Sequence, residues 1–144
     1  MRMARRDYRG GHVNQTFDLI DRARDYLRSH GIPDATAKRL DSFTGKEGTV
    51  VRLLSEKTEF VDYAGEEERS VLYQVVVRRR SEAEAEDVCR LAADVLDGAE
   101  LPSDSGAYTF IDQEVASHAN EIELDESLFY AWEVRIRANI TIQR

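Results

Sequence analysis

The stretch TEFVDYAGEEERSVLYQVVVRRRSEAEAEDVCRLAADVLDG, residues 58–98, decides the fold of this chain. Its first six residues alternate between polar and apolar side chains, the Gly-containing acidic run 64–68 interrupts them, and the β-branched run 71–77 follows. Alternation and β-branched runs bounded by a turn are typical of paired strands. The segment 57–79 therefore predicts a β-hairpin with its turn at 64–68.

A helix is predicted over 82–98, directly after the hairpin. Ser81 and Glu84 have the spacing of a capping box, in which each side chain satisfies a backbone amide at the helix start. Gly98 suits a left-handed cap at the helix end, and Pro102 follows it. The predicted apolar stripe of this helix consists of Val88, Leu91, Ala92, Val95 and Leu96.

The flanking segments add a second helix and more strands. A helix is predicted over 13–30, since apolar residues recur there with the helical period and Gly31 and Pro33 follow it. We predict strands at 49–54, 108–117 and 130–142, a loop at 34–48 with a short helical turn at 35–41 as an option, and an acidic connection at 119–127. The last strand is the clearest, because it alternates over thirteen residues with Tyr130, Trp132, Val134, Ile136, Ala138, Ile140 and Ile142 on one face.

This order of elements predicts the α+β class, as a two-layer sandwich in which two helices cover a mostly antiparallel sheet of four or five strands. The face carrying Glu133, Arg135 and Arg137 is expected to be wet or buried against another subunit. We expect residues 13–144 to form a single domain. Residues 1–12, with four arginines and a glycine pair, are predicted to form a flexible basic arm.

Composition narrows the class of protein. The 144 residues suffice for one hydrophobic core, and the single cysteine excludes an internal disulfide, which fits a reducing compartment. No apolar run approaches the roughly 18 residues of a membrane helix, and no signal peptide is recognisable. The net charge is −8, whereas dedicated nucleic-acid binders are usually basic.

The charge is unevenly distributed along the chain. Residues 1–80 carry 16 Lys/Arg against 13 Asp/Glu, residues 81–126 carry one Arg against 14 Asp/Glu, and residues 127–144 carry three Arg against one Glu. Segments of opposite charge suit a head-to-tail contact between copies of the chain. Such contacts form a closed ring when the rotation from one copy to the next divides a full turn evenly. The alternative is an acidic, solvated helix and loop without a partner.

No motif predicts a catalytic, cofactor-binding or metal-binding residue. His12, His30 and His118 are not spaced with other ligands as a metal site requires, and Cys89 is interpreted as a buried small apolar residue. The run Glu66-Glu67-Glu68 is interpreted as a solvated turn. The sequence contains neither a phosphate-binding glycine loop nor a nucleophile elbow.

The run Arg78-Arg79-Arg80 is the most concentrated basic patch that ends a predicted strand. Three interpretations remain open: local pairing with Glu82 or Glu84, contact with an acidic neighbouring subunit, and contact with DNA phosphates. The predicted subunit or partner contacts are Arg78, Arg79, Arg80, Glu82, Glu86, Arg135 and Arg137, together with Arg5, Arg6 and Arg9 of the arm.

The chain resembles the siphophage minor capsid protein family, whose members are similar to tail terminator or tail completion proteins. The resemblance rests on Phe60 to Gly65, a strand that leads into a turn, and on Val71 to Arg79, an aromatic-containing strand that ends in basic residues. It continues through the helix after Ser81, the segment Phe110 to Ser117, and the closing strand with Tyr130 and Trp132. About residues 13–142 are covered.

The resemblance implies a virion structural protein at the head–tail junction, assembled in the host cytoplasm and without enzyme activity or cofactors. It implies a homo-oligomeric ring, expected to be a hexamer, with a tail tube protein and a head-completion or connector protein as partners. No membrane partner is implied, and DNA contact is at most incidental in the ring lumen. The alternatives are another head–tail completion component, a small dimeric α+β binding module and, least favoured, an enzyme.

Overall fold

The computed structural model describes residues 17–37, 47–122 and 129–143, and seven elements lie within them. Four of the strands are fourteen residues long, which is long for a domain of this size. In chain order the elements are α1 (Leu19–Ser29), β1 (Ala35–Thr36), β2 (Gly48–Val61), β3 (Glu66–Arg79), α2 (Glu82–Leu96), β4 (Thr109–Ile122) and β5 (Tyr130–Gln143).

The strands form one five-stranded mixed sheet in the order β1-β2-β3-β5-β4. The short β1 runs parallel to β2, and every other neighbouring pair is antiparallel. Both helices pack on one face of this sheet through the main hydrophobic core, and a small separate cluster consists of Val50 and Val76 with Ile122 packed against them. The predicted α+β fold, with two helices over a mostly antiparallel sheet, is therefore confirmed.

The core lies between the helices and the faces of β3 and β5. The predicted dry face of β5 is confirmed from Trp132 to Ile142, because every second residue in this range belongs to the core or packs against it. Tyr130 is largely exposed. The opposite face of the sheet, here called the open face, carries the other half of each strand, and within the described residues no helix covers it.

Two predicted strands, 49–54 and the first strand of the hairpin, are one continuous strand, β2. The register between β2 and β3 shifts between Leu53 and Ser55 and again between Thr58 and Phe60. A bulge inserts one residue into a strand and changes which face the next side chain occupies. The sequence pattern therefore predicted two strands, at 49–54 and at the start of the hairpin, where the structure has one.

The acidic run Glu66 to Glu68 was wrongly interpreted as a solvated turn, since it forms the first three residues of β3. Glu67 is buried, and its carboxylate accepts hydrogen bonds from the Thr58 hydroxyl and from Arg69. A hydroxyl from the neighbouring strand β2 and an arginine from β3 itself satisfy this carboxylate, so the strand tolerates it despite the acidic composition.

Three further boundaries differ from the prediction. Ala35 and Thr36 form β1 and not a helical turn, because their backbone pairs with Thr49 and Val50. β4 continues to Ile122, into the predicted acidic connection, since pairing with β5 sustains the strand through three register irregularities. Helix α1 begins at Leu19, and residues 13–16 of the predicted helix, like the arm 1–12, lie outside the described residues.

The predicted end signals of α2 are confirmed except for one half of the capping box, because the Glu84 side chain pairs with Arg79 instead of the Ser81 amide. The Ser81 hydroxyl accepts a hydrogen bond from the Glu84 amide at 3.3 Å, and Gly98 has φ +75° just beyond the helix. The predicted apolar stripe is partly wrong, because the buried residues are Ala85, Cys89, Ala92 and Leu96. Leu91, which was assigned to that stripe, is 38% exposed.

Candidate interaction surfaces

The three consecutive arginines at the end of β3 and just beyond it, Arg78, Arg79 and Arg80, differ in burial and in contacts. Arg79 is only 6% exposed. Its Nη1 donates hydrogen bonds to the carbonyl oxygens of Gly48 and Arg78, both at 2.9 Å, and its Nη2 lies 3.0 Å from an Asp34 carboxylate oxygen. Its Nε lies 3.4 Å from Glu84, one of the two local partners that the sequence suggested. In one copy of the chain, Arg79 therefore joins the end of β3 to β2, to the loop before β1 and to α2.

Arg78 and Arg80 both approach one aromatic ring, that of Phe129. The guanidinium carbon of Arg78 is 4.4 Å from the centroid of the Phe129 ring, and that of Arg80 is 5.0 Å from it. Arg78 is buried, whereas Arg80 is exposed. Cation–π contacts of this kind hold both guanidinium groups near the start of β5. A contact of these residues with a neighbouring subunit stays a prediction.

Helix α2 presents an acidic outer surface. Glu82 is exposed in the first turn, and Glu86 pairs with Arg90 at 2.8 Å, as residues four apart on a helix do. Asp87, Leu91 and Asp94 are all exposed and follow one another at intervals of four and three residues, so they share one face of the helix. We call these three residues the acidic ridge. Among the described residues, neither aspartate of the ridge has an ion-pair or hydrogen-bond partner.

The open face carries a chain of polar side chains across three strands. Arg52 Nε donates to the Gln74 side-chain oxygen at 2.7 Å, and the Gln74 amide donates in turn to a Glu133 carboxylate oxygen. Arg135 Nε donates to the same Glu133 oxygen at 3.1 Å. Glu133 is only 7% exposed although no described helix covers it, because its long neighbours surround it.

Arg137 extends this basic region one row along the sheet. It is exposed, and its Nη1 donates to the Ser70 hydroxyl at 3.3 Å. Leu72 lies beside it on β3, partly buried, in register with Arg137. No carboxylate of the described residues pairs with Arg52 or Arg137. We call Arg52, Leu72, Arg135 and Arg137 the arginine patch.

The hairpin between β2 and β3 ends in a rigid turn that exposes aromatic side chains. One Asp62 carboxylate oxygen accepts hydrogen bonds from the amides of Ala64 and Glu66, both at 2.9 Å, and Gly65 has φ +85°. The turn leaves the Tyr63 side chain fully exposed, and Phe60 is 61% exposed. In the sequence these residues indicated a strand and a turn but not an exposed tip, because alternation does not reveal which end of a hairpin extends past the core.

The histidines and the cysteine occupy structural positions. His30 caps α1, its Nδ1 lies 2.8 Å from the carbonyl oxygen of Tyr26, and the two rings stack. Cys89 is buried, as predicted, and burial raises the pKa of its thiol to about 12. His118 lies exposed on β4, and His12 is outside the described residues. Within the described residues, no group of three or more metal-ligating side chains comes together.

Asp18, which the sequence did not single out, organises the loop after α2. Its carboxylate accepts hydrogen bonds from the Ser103 hydroxyl at 2.6 Å and from the Asp104 amide at 2.8 Å. The amide and hydroxyl of Ser105 lie farther away, at 3.3 and 3.2 Å. Burial alone would raise the pKa of this carboxyl, but these hydrogen bonds outweigh it and lower the pKa below 3.8. The start of α1 is thereby tied to the 103–105 loop.

Replacing Asp18 by asparagine is expected to lower the free energy of unfolding by about 1.5–3 kcal/mol at pH 7, the range for hydrogen bonds to a charged group. Because the folded-state pKa is lowered, this contribution is present above the ordinary pKa of 3.8 and is lost as pH falls through the folded-state value. Urea unfolding of the wild-type and D18N proteins at pH 7 and pH 3 measures it. A stability difference that is equal at both pH values would contradict this assignment.

Comparison with solved structures finds a virion protein of similar fold. No protein-family model and no curated protein matches the chain. A chain from the virion of a native gene transfer agent (GTA) particle has the same fold. The two chains are 15% identical, with a TM-score of 0.55, and the match covers 92% of this chain and 99% of the other. Among the described residues, no helix is long and apolar enough to cross a membrane.

Proposed function

We propose that this chain is a structural protein of a phage-like virion. The observation that carries the proposal is the fold match to a GTA virion chain, which extends over nearly the full length of both chains. The ionisable residues of the described surface form salt bridges, helix caps and charged patches. Such a surface suits a protein that functions by binding other subunits. The proposal assigns the chain no catalytic step and no cofactor.

Within that class, we propose the role of tail terminator at the head–tail junction. In this role, copies of the chain form a ring, expected to be a hexamer, that caps the tail tube and joins it to the head connector. The sequence resemblance to siphophage minor capsid proteins supports this finer role. The two-layer architecture supports a ring as well, because an acidic helix lies on one side of the sheet and arginines lie on the other. Unlike surfaces on opposite sides form heterologous contacts, which generate closed rings when the rotation permits.

The ring is tested by sedimentation equilibrium or native mass spectrometry of the purified chain. Six copies of the 16.5 kDa chain would have a mass of about 99 kDa, and negative-stain images should show particles with a central opening. A dimer of about 33 kDa would support the binding-module alternative instead.

The terminator role is tested separately by adding the chain to a polymerising tail tube protein from the same phage or prophage. We expect tube growth to stop and the chain to be found at tube ends by immunogold labelling. A ring that leaves tube growth unchanged would contradict the terminator role and favour another head–tail component. A chain that stays monomeric at high concentration and binds no tube would contradict both levels of the proposal.

A further inference from the structure

We propose that the acidic ridge of α2 in one copy of the chain docks on the arginine patch of the open face in the next copy. This inference rests on the proposed ring and specifies the surfaces that would join its subunits. It differs from the contact predicted from the sequence, because Arg79 is buried and Glu86 is paired with Arg90. The residues still available for a partner are Asp87 and Asp94 on α2 and the arginines of the neighbouring strands.

Charge is the first argument for this contact. Asp87 and Asp94 have no ion-pair partner among the described residues, and Arg52 and Arg137 pair with no described carboxylate. Each surface thus carries two charges of one sign that form no ion pair within the described part of their own subunit, although Glu114 of β4 lies in register with Arg137. Complementary potentials of this kind favour association of the two surfaces and disfavour contact of either surface with itself.

Spacing is the second argument. Asp87 and Asp94 are seven residues apart on a helix, which separates them by about 10 Å along the axis, with Leu91 between them. Arg52 and Arg137 lie two strands apart and two residues apart along the strands, a separation of about 12 Å. Leu72 lies on the intervening strand β3. Each surface therefore has an apolar side chain between two like charges, at nearly the same spacing.

The position of the two surfaces is the third argument. α2 packs on the sheet face opposite to the arginine patch, so the ridge and the patch lie on opposite sides of the sheet. One copy cannot satisfy both surfaces by itself, and a two-fold dimer would leave one of them unused. A head-to-tail series uses every ridge and every patch. Leu91, exposed between acidic residues, would be covered by Leu72 and the aliphatic parts of the arginines.

The test uses two charge-reversed forms of the full chain. The patch variant carries Arg52→Glu and Arg137→Glu, and the ridge variant carries Asp87→Lys and Asp94→Lys. Each variant alone brings like charges together, so we expect its self-association to weaken at least tenfold and its sedimentation to be that of a monomer. A mixture of the two variants has complementary surfaces at every contact. We therefore expect the mixture to restore particles of wild-type size that contain both variants in equal amounts.

A matched control reverses charges away from both surfaces. The control for the patch variant carries Arg24→Glu and Arg28→Glu, and the control for the ridge variant carries Asp21→Lys and Asp25→Lys, all on α1. Both controls should assemble like the wild type. Circular dichroism melts confirm that each variant is folded. Because Arg52 contacts Gln74, Leu91→Gln provides a second test on an exposed site, with weaker association and unchanged folding as the expected result.

The possible results separate this contact from the ring itself. If both variants and Leu91→Gln assemble like the wild type, the ridge and patch do not form the interface, while the proposed ring stands. Failure of the mixture of two folded variants to assemble overturns the contact as well. The wild-type chain could instead form an oligomer other than a hexamer. If each variant abolishes that oligomer and the mixture restores it, the contact is supported and the hexameric ring is not.

Discussion

Replacing Arg79 by methionine will lower the free energy of unfolding by about 3 kcal/mol, because it removes two buried hydrogen bonds from a charged donor, each worth about 1.5–3 kcal/mol. The substitution removes the donors for the carbonyl oxygens of Gly48 and Arg78 and leaves Asp34 without its cation. Methionine fills a similar volume, so the loss reports on the polar contacts more than on packing. Urea unfolding followed by fluorescence of the single tryptophan, Trp132, measures the change.

Arg80→Met is the matched control for this experiment. Arg80 is the next residue, but its side chain is exposed, so the same substitution there should change stability by less than about 1 kcal/mol. An Arg79→Met protein that is as stable as the wild type but fails to assemble would contradict the structural role. That result would favour the subunit contact that the sequence suggested for this residue.

Replacing Tyr73 by alanine is expected to cost about 3–5 kcal/mol of stability, as for other large aromatic residues in a core. Tyr73 is fully buried on β3, between Leu53 of β2 and Ile136 of β5 in the sheet register. Its hydroxyl donates to the Gln113 side-chain oxygen at 2.9 Å, and the Gln113 amide donates to the carbonyl oxygen of Leu96. The substitution leaves a cavity and also interrupts this connection between sheet and helix. Chemical denaturation measures the total loss.

Tyr73→Phe separates the cavity from the hydrogen bond. It keeps the ring but leaves the Gln113 oxygen unpaired, for which we expect a loss of about 1–3 kcal/mol. Burial raises the pKa of the Tyr73 phenol, so the hydroxyl remains a donor throughout the pH range of such measurements. A Tyr73→Phe protein with wild-type stability would show that the Gln113 contact contributes nothing to the fold.

Much of the fold could be predicted because several segments carry an uninterrupted pattern. β5 alternates without a bulge from Trp132 to Ile142, and its dry face was identified correctly. Helix α2 has a local start signal at Ser81 and a local stop signal at Gly98, and both act in the structure as their chemistry suggests. These signals depend on residues only a few positions apart, so they are visible in the chain itself.

The candidate surfaces were harder to predict because they depend on residues that are distant in sequence. Because of the bulges in β2, its sequence pattern resembles that of two separate strands. A bulge can be recognised only from the register with the neighbouring strand, which the sequence does not show. Leu91 fits a helical stripe by spacing, but the sheet contacts a different side of α2, and so Leu91 is exposed. The available signal was the buried series Ala85, Cys89, Ala92 and Leu96, whose small residues permit a close approach of helix and sheet.

The sequence by itself determined the types of the elements, the ends of α2 and the excess of acidic residues between 81 and 126, because each follows from local spacing or composition. Only the tertiary structure decided which charges remain available for a partner. Three adjacent arginines have the same chemistry in the sequence, yet Arg79 is enclosed by Asp34 and backbone oxygens while Arg80 is exposed. The physical reason is that burial and ion pairing depend on which residues the strand register brings together across the sheet.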